Sequence, residues 1–141
     1  MDNNNILKKL IKNQIKNINK EYKLSNNDLI RISNNLDQDI FSEDCCIWKG
    51  YITNNNNNRA KYINFYFNKK KIALHRLLYI NFVEELNKNE YIKYTCNNKG
   101  KCCNINHIKK VNKENKKNKK KNIKNDNVAE KKIKSNIVSF D

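Results

Sequence analysis

The stretch Cys96-Asn97-Asn98-Lys99-Gly100-Lys101-Cys102-Cys103-Asn104-Ile105-Asn106-His107 gathers three cysteines and a histidine in one short segment. Zinc favours four thiolate and imidazole ligands arranged as a tetrahedron, and structural sites keep all four positions closed. Cys96, Cys102 and His107 supply three donors, with loop residues between them and Gly100 easing the turn. The fourth must come from elsewhere, and Cys45 and Cys46 are the other cysteines available. A tie from either one to this loop closes about fifty residues of chain, so that metal-binding energy becomes folding energy.

The rest of the composition agrees with a small stapled domain. The chain has 141 residues, 38% of them hydrophobic, and no proline. A core of that size is modest and benefits from a crosslink. Met1–Asn5 is polar and leads into a charged helical pattern rather than a secretory apolar run. Without a signal peptide, cysteines point to metal or free thiols rather than a disulfide framework. No run of eighteen apolar residues exists, so no membrane span is expected. An intracellular, DNA-containing compartment such as the nucleus is the expected location. Thirty Lys+Arg against 14 Asp+Glu give a net charge of +16. Such an excess disfavours compaction unless a polyanion neutralises it, and nucleic acid is the obvious one. The Asn runs carry no such message, because AT-rich coding inflates Asn, Lys and Ile together.

Residues 3–22 place Ile6, Leu7, Leu10, Ile11, Ile15, Ile18 and Tyr22 at three- and four-residue spacing, which predicts an amphipathic helix. Ser25 and Asp28 form a capping-box pattern opening a second helix through Leu36. Cys45–Ile52 and Ala60–Phe67 read as strands, with a turn at Lys69–Lys71. Leu74–Leu86 reads as a helix, and Tyr91–Thr95 as a short strand entering the cysteine loop. From about residue 108 to 124 the chain is Lys/Asn-rich and too polar to build a core. The expected domains are a helical N-terminal extension over 1–42, a zinc-stapled core over 43–116 and a basic tail over 117–141.

Three motifs then resemble one family in its own order. Cys45-Cys46-Ile47-Trp48-Lys49-Gly50-Tyr51-Ile52 resembles the C-W-x-W-x-G-Y opening of the HNH (His-Me finger) endonuclease core. Leu74-His75-Arg76-Leu77-Leu78-Tyr79 resembles its A-H-R-L-x-Y helix. The cysteine block is similar to H-x-C-x-N-x-x-C-x-N-P-x-H-L, which also occurs in the zinc loop of His-Cys box homing endonucleases. The resemblance implies an α+β fold: a ββα-metal core with one structural zinc, joined to N-terminal helices and a basic C-terminal tail. It makes Cys45, Cys96, Cys102 and His107 the zinc ligands and gives Asn104 the task of bracing the loop. The spacer between Cys96 and Cys102 is one residue longer than usual, which leaves Cys103 as an alternative ligand; Cys46 remains the alternative on the strand.

In that family a histidine just before the first loop cysteine is the general base, and a divalent cation such as Mg²⁺ sits at the scissile phosphate. Here that position is Tyr94. A neutral phenol is a poor proton acceptor, so the expectation is DNA cleavage that is weak or lost. His75 is expected to pack or hydrogen-bond. Val111-Asn112-Lys113-Glu114-Asn115 resembles the family's V-T-x-K-E-N and nominates Asn115 as the Mg²⁺ ligand. Candidate nucleic-acid contacts are Arg59, Lys61, Lys69, Lys70 and Lys71 at the strand pair, and Lys109, Lys110, Lys113 and Lys116 after the zinc loop. DNA is the expected partner, with RNA the second choice, and the family allows a homodimer. The rival expectation is a non-catalytic zinc module that only binds nucleic acid.

Overall fold

The computed structural model describes residues 3–113. The described residues divide into two units: 3–86 with 92–110, and 87–91 with 111–113. Asn115, Lys116 and the tail over 117–141 lie outside the described residues. The architecture is a mixture of helices and short strands: α1 (Asn3–Asn13), α2 (Asn26–Ser33), β1 (Asn64–Phe67), β2 (Lys70–Ala73), α3 (Leu74–Phe82), β3 (Glu90–Tyr94), a 3₁₀ turn (Ile105–His107) and β4 (Ile108–Asn112). Strands β1 and β2 form one two-stranded sheet and β3 and β4 another. Among the described residues no helix is long and apolar enough to cross a membrane.

The expected extension over 1–42 is not separate in packing. Ile6 and Leu10 of α1, Leu29 and Ile32 of α2, and Leu36 and Ile40 beyond it share one hydrophobic cluster with Trp48, Ile63, Phe65, Leu74, Leu77 and Leu78. The physical reason is the smallness of the rest: a few short strands and one helix cannot bury a core alone, so α1 and α2 supply the missing apolar faces. The capping box at α2 is formed as read, with Ser25 Oγ accepting from the Asp28 N–H and the Asp28 carboxylate accepting from the Ser25 N–H.

Helix α1 stops at Asn13, well before Tyr22, although the apolar spacing continues. The cause is Asn81, buried in α3. The Ile15 N–H donates to its backbone carbonyl at 2.9 Å. Its side-chain oxygen accepts from Gln14 Nε2 at 2.9 Å and from the Leu24 N–H at 3.0 Å. Its Nδ2 donates to the carbonyls of Tyr22 and Leu77, both at 2.8 Å. One amide therefore spends its full donor and acceptor capacity pinning the 14–24 loop to α3. Replacing it by leucine strands these buried loop groups, and each such group costs about 1–3 kcal/mol. We expect Asn81→Leu to lose about 2–4 kcal/mol in urea melts; a loss under about 0.5 kcal/mol would refute the pin.

Two strands differ from expectation. Cys45–Ile52 is not a ladder strand; it makes an isolated bridge, Ile47 with Cys102, and Thr53 just beyond it another with Tyr62. Its backbone pairs with the cysteine loop instead, through Trp48 N–H to Lys101 O at 3.0 Å and Cys103 N–H to Cys46 O at 2.7 Å. The β1–β2 turn is centred on Asn68 and Lys69, both at positive φ (52° and 68°), so Lys70 and Lys71 belong to β2. Positive φ at both central residues is the type I′ geometry that matches strand twist in a two-residue hairpin.

Candidate metal centre

Cys45, Cys96, Cys102 and His107 converge so that their ligand atoms all lie within 4.8 Å of one another. Cys45 arrives on the segment that leaves α2, and Cys102 and His107 come from the loop between β3 and β4. The His107 Nδ1 lies 3.5 Å from Cys45 Sγ and 3.4 Å from Cys102 Sγ. Tetrahedral coordination with Zn–S and Zn–N bonds of normal length puts sulfur and nitrogen ligands about 3.6 Å apart, so the spacing fits. The Nε2 of His107 faces the Glu43 carbonyl at 2.8 Å. Only a protonated nitrogen can donate there, which leaves Nδ1 with its lone pair free for a cation. Such an outer bond fixes both the tautomer and the ring orientation of a ligand histidine.

The sulfurs are prepared in the same way. Cys102 Sγ accepts from the N–H groups of Cys46 at 3.3 Å and Asn104 at 3.4 Å. Burial nonetheless pushes the Cys102 thiol up to about 12. A divalent cation among the four donors offsets that penalty by holding the thiolate. The Cys45 thiol is held below its ordinary value, chiefly by a hydrogen bond from Asn98. Neither this Asn98 contact nor the Glu43 carbonyl was foreseeable, because the first comes from an Asn among many and the second from backbone.

The neighbouring thiols are turned elsewhere. Cys46 is buried and donates through Sγ to the Gln38 carbonyl at 3.1 Å, and burial raises its thiol to about 11. Cys103 is fully buried, and burial raises its thiol as well. Neither belongs to the four-donor group. The spacer between Cys96 and Cys102 folds into a turn in which Lys101 and Cys102 N–H groups both reach the Asn98 carbonyl at 3.0 Å. Gly100 closes that turn at φ +80°, where an added Cβ would collide with the Lys61 carbonyl oxygen. Asn104 braces the loop as expected: its Nδ2 donates to Ser42 O at 2.6 Å and Asp44 O at 2.7 Å, and its oxygen accepts from the Asn106 N–H at 2.8 Å.

No family model and no solved structure matches the chain. The chain is similar to the uncharacterized protein R328 of Acanthamoeba polyphaga mimivirus, at 56% identity over 111 residues. The match covers 77% of this chain, which spans about a third (32%) of the relative's length.

Beside the metal centre lies the nominated catalytic position. His75 is buried in α3, with Nε2 2.7 Å from the Cys102 carbonyl oxygen. That nitrogen must carry the proton, so Nδ1 is an acceptor, and Tyr94 Oη donates to it at 3.3 Å. The two rings meet edge to face with centroids 5.0 Å apart. Burial raises the Tyr94 phenol above its ordinary value, with repulsion from Cys103 adding to it. Burial also holds the His75 imidazole low, against the opposing pull of the Cys102 carbonyl. Tyr94, His75 and the candidate ligand Cys102 thus form one chain of hydrogen bonds, in which the phenol acts as a donor. His75 packs and bonds, as its place in the helix motif suggested.

The basic candidates occupy two places. Arg59, Lys69, Lys70 and Lys71 are exposed and Lys61 is half-buried, all on or beside β1–β2. Lys109 and Lys110 lie on β4, and Lys113 follows it.

Proposed function

We propose that this chain is a zinc-stapled nucleic-acid-binding protein built on an HNH-like frame, in which Tyr94 has replaced the general base and phosphodiester cleavage is weak or lost. The observation that carries the reading is the juxtaposition at the cysteine loop. Four donors of the Cys₃His type close on one point, and the residue two before Cys96 is a phenol already committed to His75. The strand–zinc loop–strand order of β3 and β4 supports the frame; the helix that should follow it falls beyond the described residues. Zinc suits the donors because three thiolates and an imidazole are its usual structural set, and a closed set leaves it no position for substrate. Its contribution is to hold the loop.

DNA is the partner we favour. The net charge of +16 and the exposed lysines of β1–β2 supply phosphate contacts. The log of the DNA-binding constant should fall linearly with the log of salt concentration, with a slope of about −0.9 per phosphate contacted on a duplex. Lys69→Gln with Lys70→Gln should weaken binding and flatten that slope by about one to two. A slope near zero in the wild type would rule out phosphate recognition.

A further inference from the structure

The strand that carries β1 has two faces of different chemistry. Over residues 62–67 burial alternates: Ile63, Phe65 and Phe67 enter the core, whereas Tyr62, Asn64 and Tyr66 face water. Alternating residues of an extended chain share a face, about 6.7 Å apart. Thr53 pairs with Tyr62 through N–H···O bonds of 2.8 and 3.3 Å. Buried Ile52 separates Thr53 from Tyr51, which places Tyr51 on the same outer face. Tyr51 is 82% exposed, Tyr66 59% and Tyr62 42%. Opposite Tyr66 in the ladder stands Lys71.

The electrostatics around these rings are one-sided. From Cys45 to Val83 the sequence contains no Asp or Glu. Among the described residues, Arg59, Lys69, Lys70 and Lys71 make no ion pair. Asp28, which meets this strand through Arg31, is already paired with that guanidinium at 2.7 Å. A face with three water-exposed aromatic rings and cations at its edge, on a stretch of chain that contributes no acid, suits a partner offering flat π surfaces and regular negative charge. An unpaired nucleic-acid strand offers both: every base has a π face and every linkage a phosphate. A duplex hides its base faces in the stack and shows only edges, so the rings gain little from it. An acidic peptide would satisfy the lysines and leave the tyrosines idle.

We propose that this tyrosine face binds single-stranded nucleic acid by stacking bases on Tyr51, Tyr62 and Tyr66 while Lys69–Lys71 follow the phosphates. The inference rests on the nucleic-acid reading above and adds the form of strand recognised. The test uses the full chain and fluorescence anisotropy with labelled polythymidine and a mixed-sequence duplex of equal length. The double variant Tyr51→Ser/Tyr66→Ser should lose about 30-fold or more on the single strand and less than about threefold on the duplex. Tyr51→Phe/Tyr66→Phe, which keeps the rings, should stay within about threefold of wild type on both. Equal losses on both ligands, no loss on the single strand, or a Phe variant as weak as the Ser variant would overturn the stacking face while leaving duplex binding intact. Binding of neither ligand by the wild type would overturn the nucleic-acid reading itself.

Discussion

Removing the metal is expected to collapse the region around Cys45 and the β3–β4 loop, and to lower the thermal midpoint by about 10 °C or more. The magnitude follows from what else holds that region. Cys45–Ile52 has no ladder; beyond the burial of Trp48 and Ile52 and one backbone bond from Lys49 to Asn35, it is held by its bridge to Cys102 and by backbone bonds to Lys101 and Cys103. The loop that answers those bonds carries three of the four candidate donors, Cys96, Cys102 and His107. Without a cation, the buried Cys102 sulfur and the inward-facing His107 Nδ1 lose their partner together, and the loop loses its crosslink to a segment about fifty residues away. Cys45→Ala, Cys96→Ala, Cys102→Ala and His107→Ala should each reduce bound zinc from one per chain towards none. Cys46→Ala should keep the zinc and lose only about 1 kcal/mol from its small cavity. Metal content by emission spectroscopy alongside melting curves makes the test. A chelator that leaves the melt unchanged, or a Cys46 variant that loses zinc, would show that the staple is absent or wrongly assigned.

The same site shows what a sequence can carry. Three donors in one loop are legible because cysteine and histidine at such density have few other uses. The choice between Cys45 and Cys46 was not legible from residues alone. Neighbours on an extended chain point to opposite sides, and only the family pattern indicated which side faced the loop; in the structure Cys46 turns to Gln38. The end of α1 was illegible for a different reason. The apolar period runs on past Asn13, and what stops the helix is Asn81, more than sixty residues later in the chain. A buried amide leaves no local signature. The strand expected at Cys45–Ile52 failed similarly: its alternation of buried and exposed residues is real, but its partner is a loop rather than a strand. The joint core of α1, α2 and α3 follows from a count of apolar faces that local patterns do not perform.

Tyr94→His is expected to produce the other large effect, a gain of DNA nicking of at least about 10²-fold over wild type with Mg²⁺ present. The phenol of Tyr94 fails as a base on two grounds. Burial raises its pKa, so its conjugate base is even scarcer at neutral pH than an ordinary tyrosinate. Its proton is also engaged, since Oη donates to His75 Nδ1. An imidazole at this place is shorter and titrates near neutrality, so it can accept a proton from attacking water where the phenol cannot. The substitution has a structural cost, because His75 Nδ1 loses its donor; Tyr94→Phe measures that cost alone, at about 1–3 kcal/mol. On supercoiled plasmid, wild type and Tyr94→Phe should leave the substrate intact while Tyr94→His nicks it, and adding Asn115→Ala to Tyr94→His should abolish the gain. Cleavage by the wild type that Asn115→Ala removes would instead reveal a working nuclease with an unconventional base. Silence from Tyr94→His with a normal melt would overturn the assignment of position 94 as the residue that blocks cleavage.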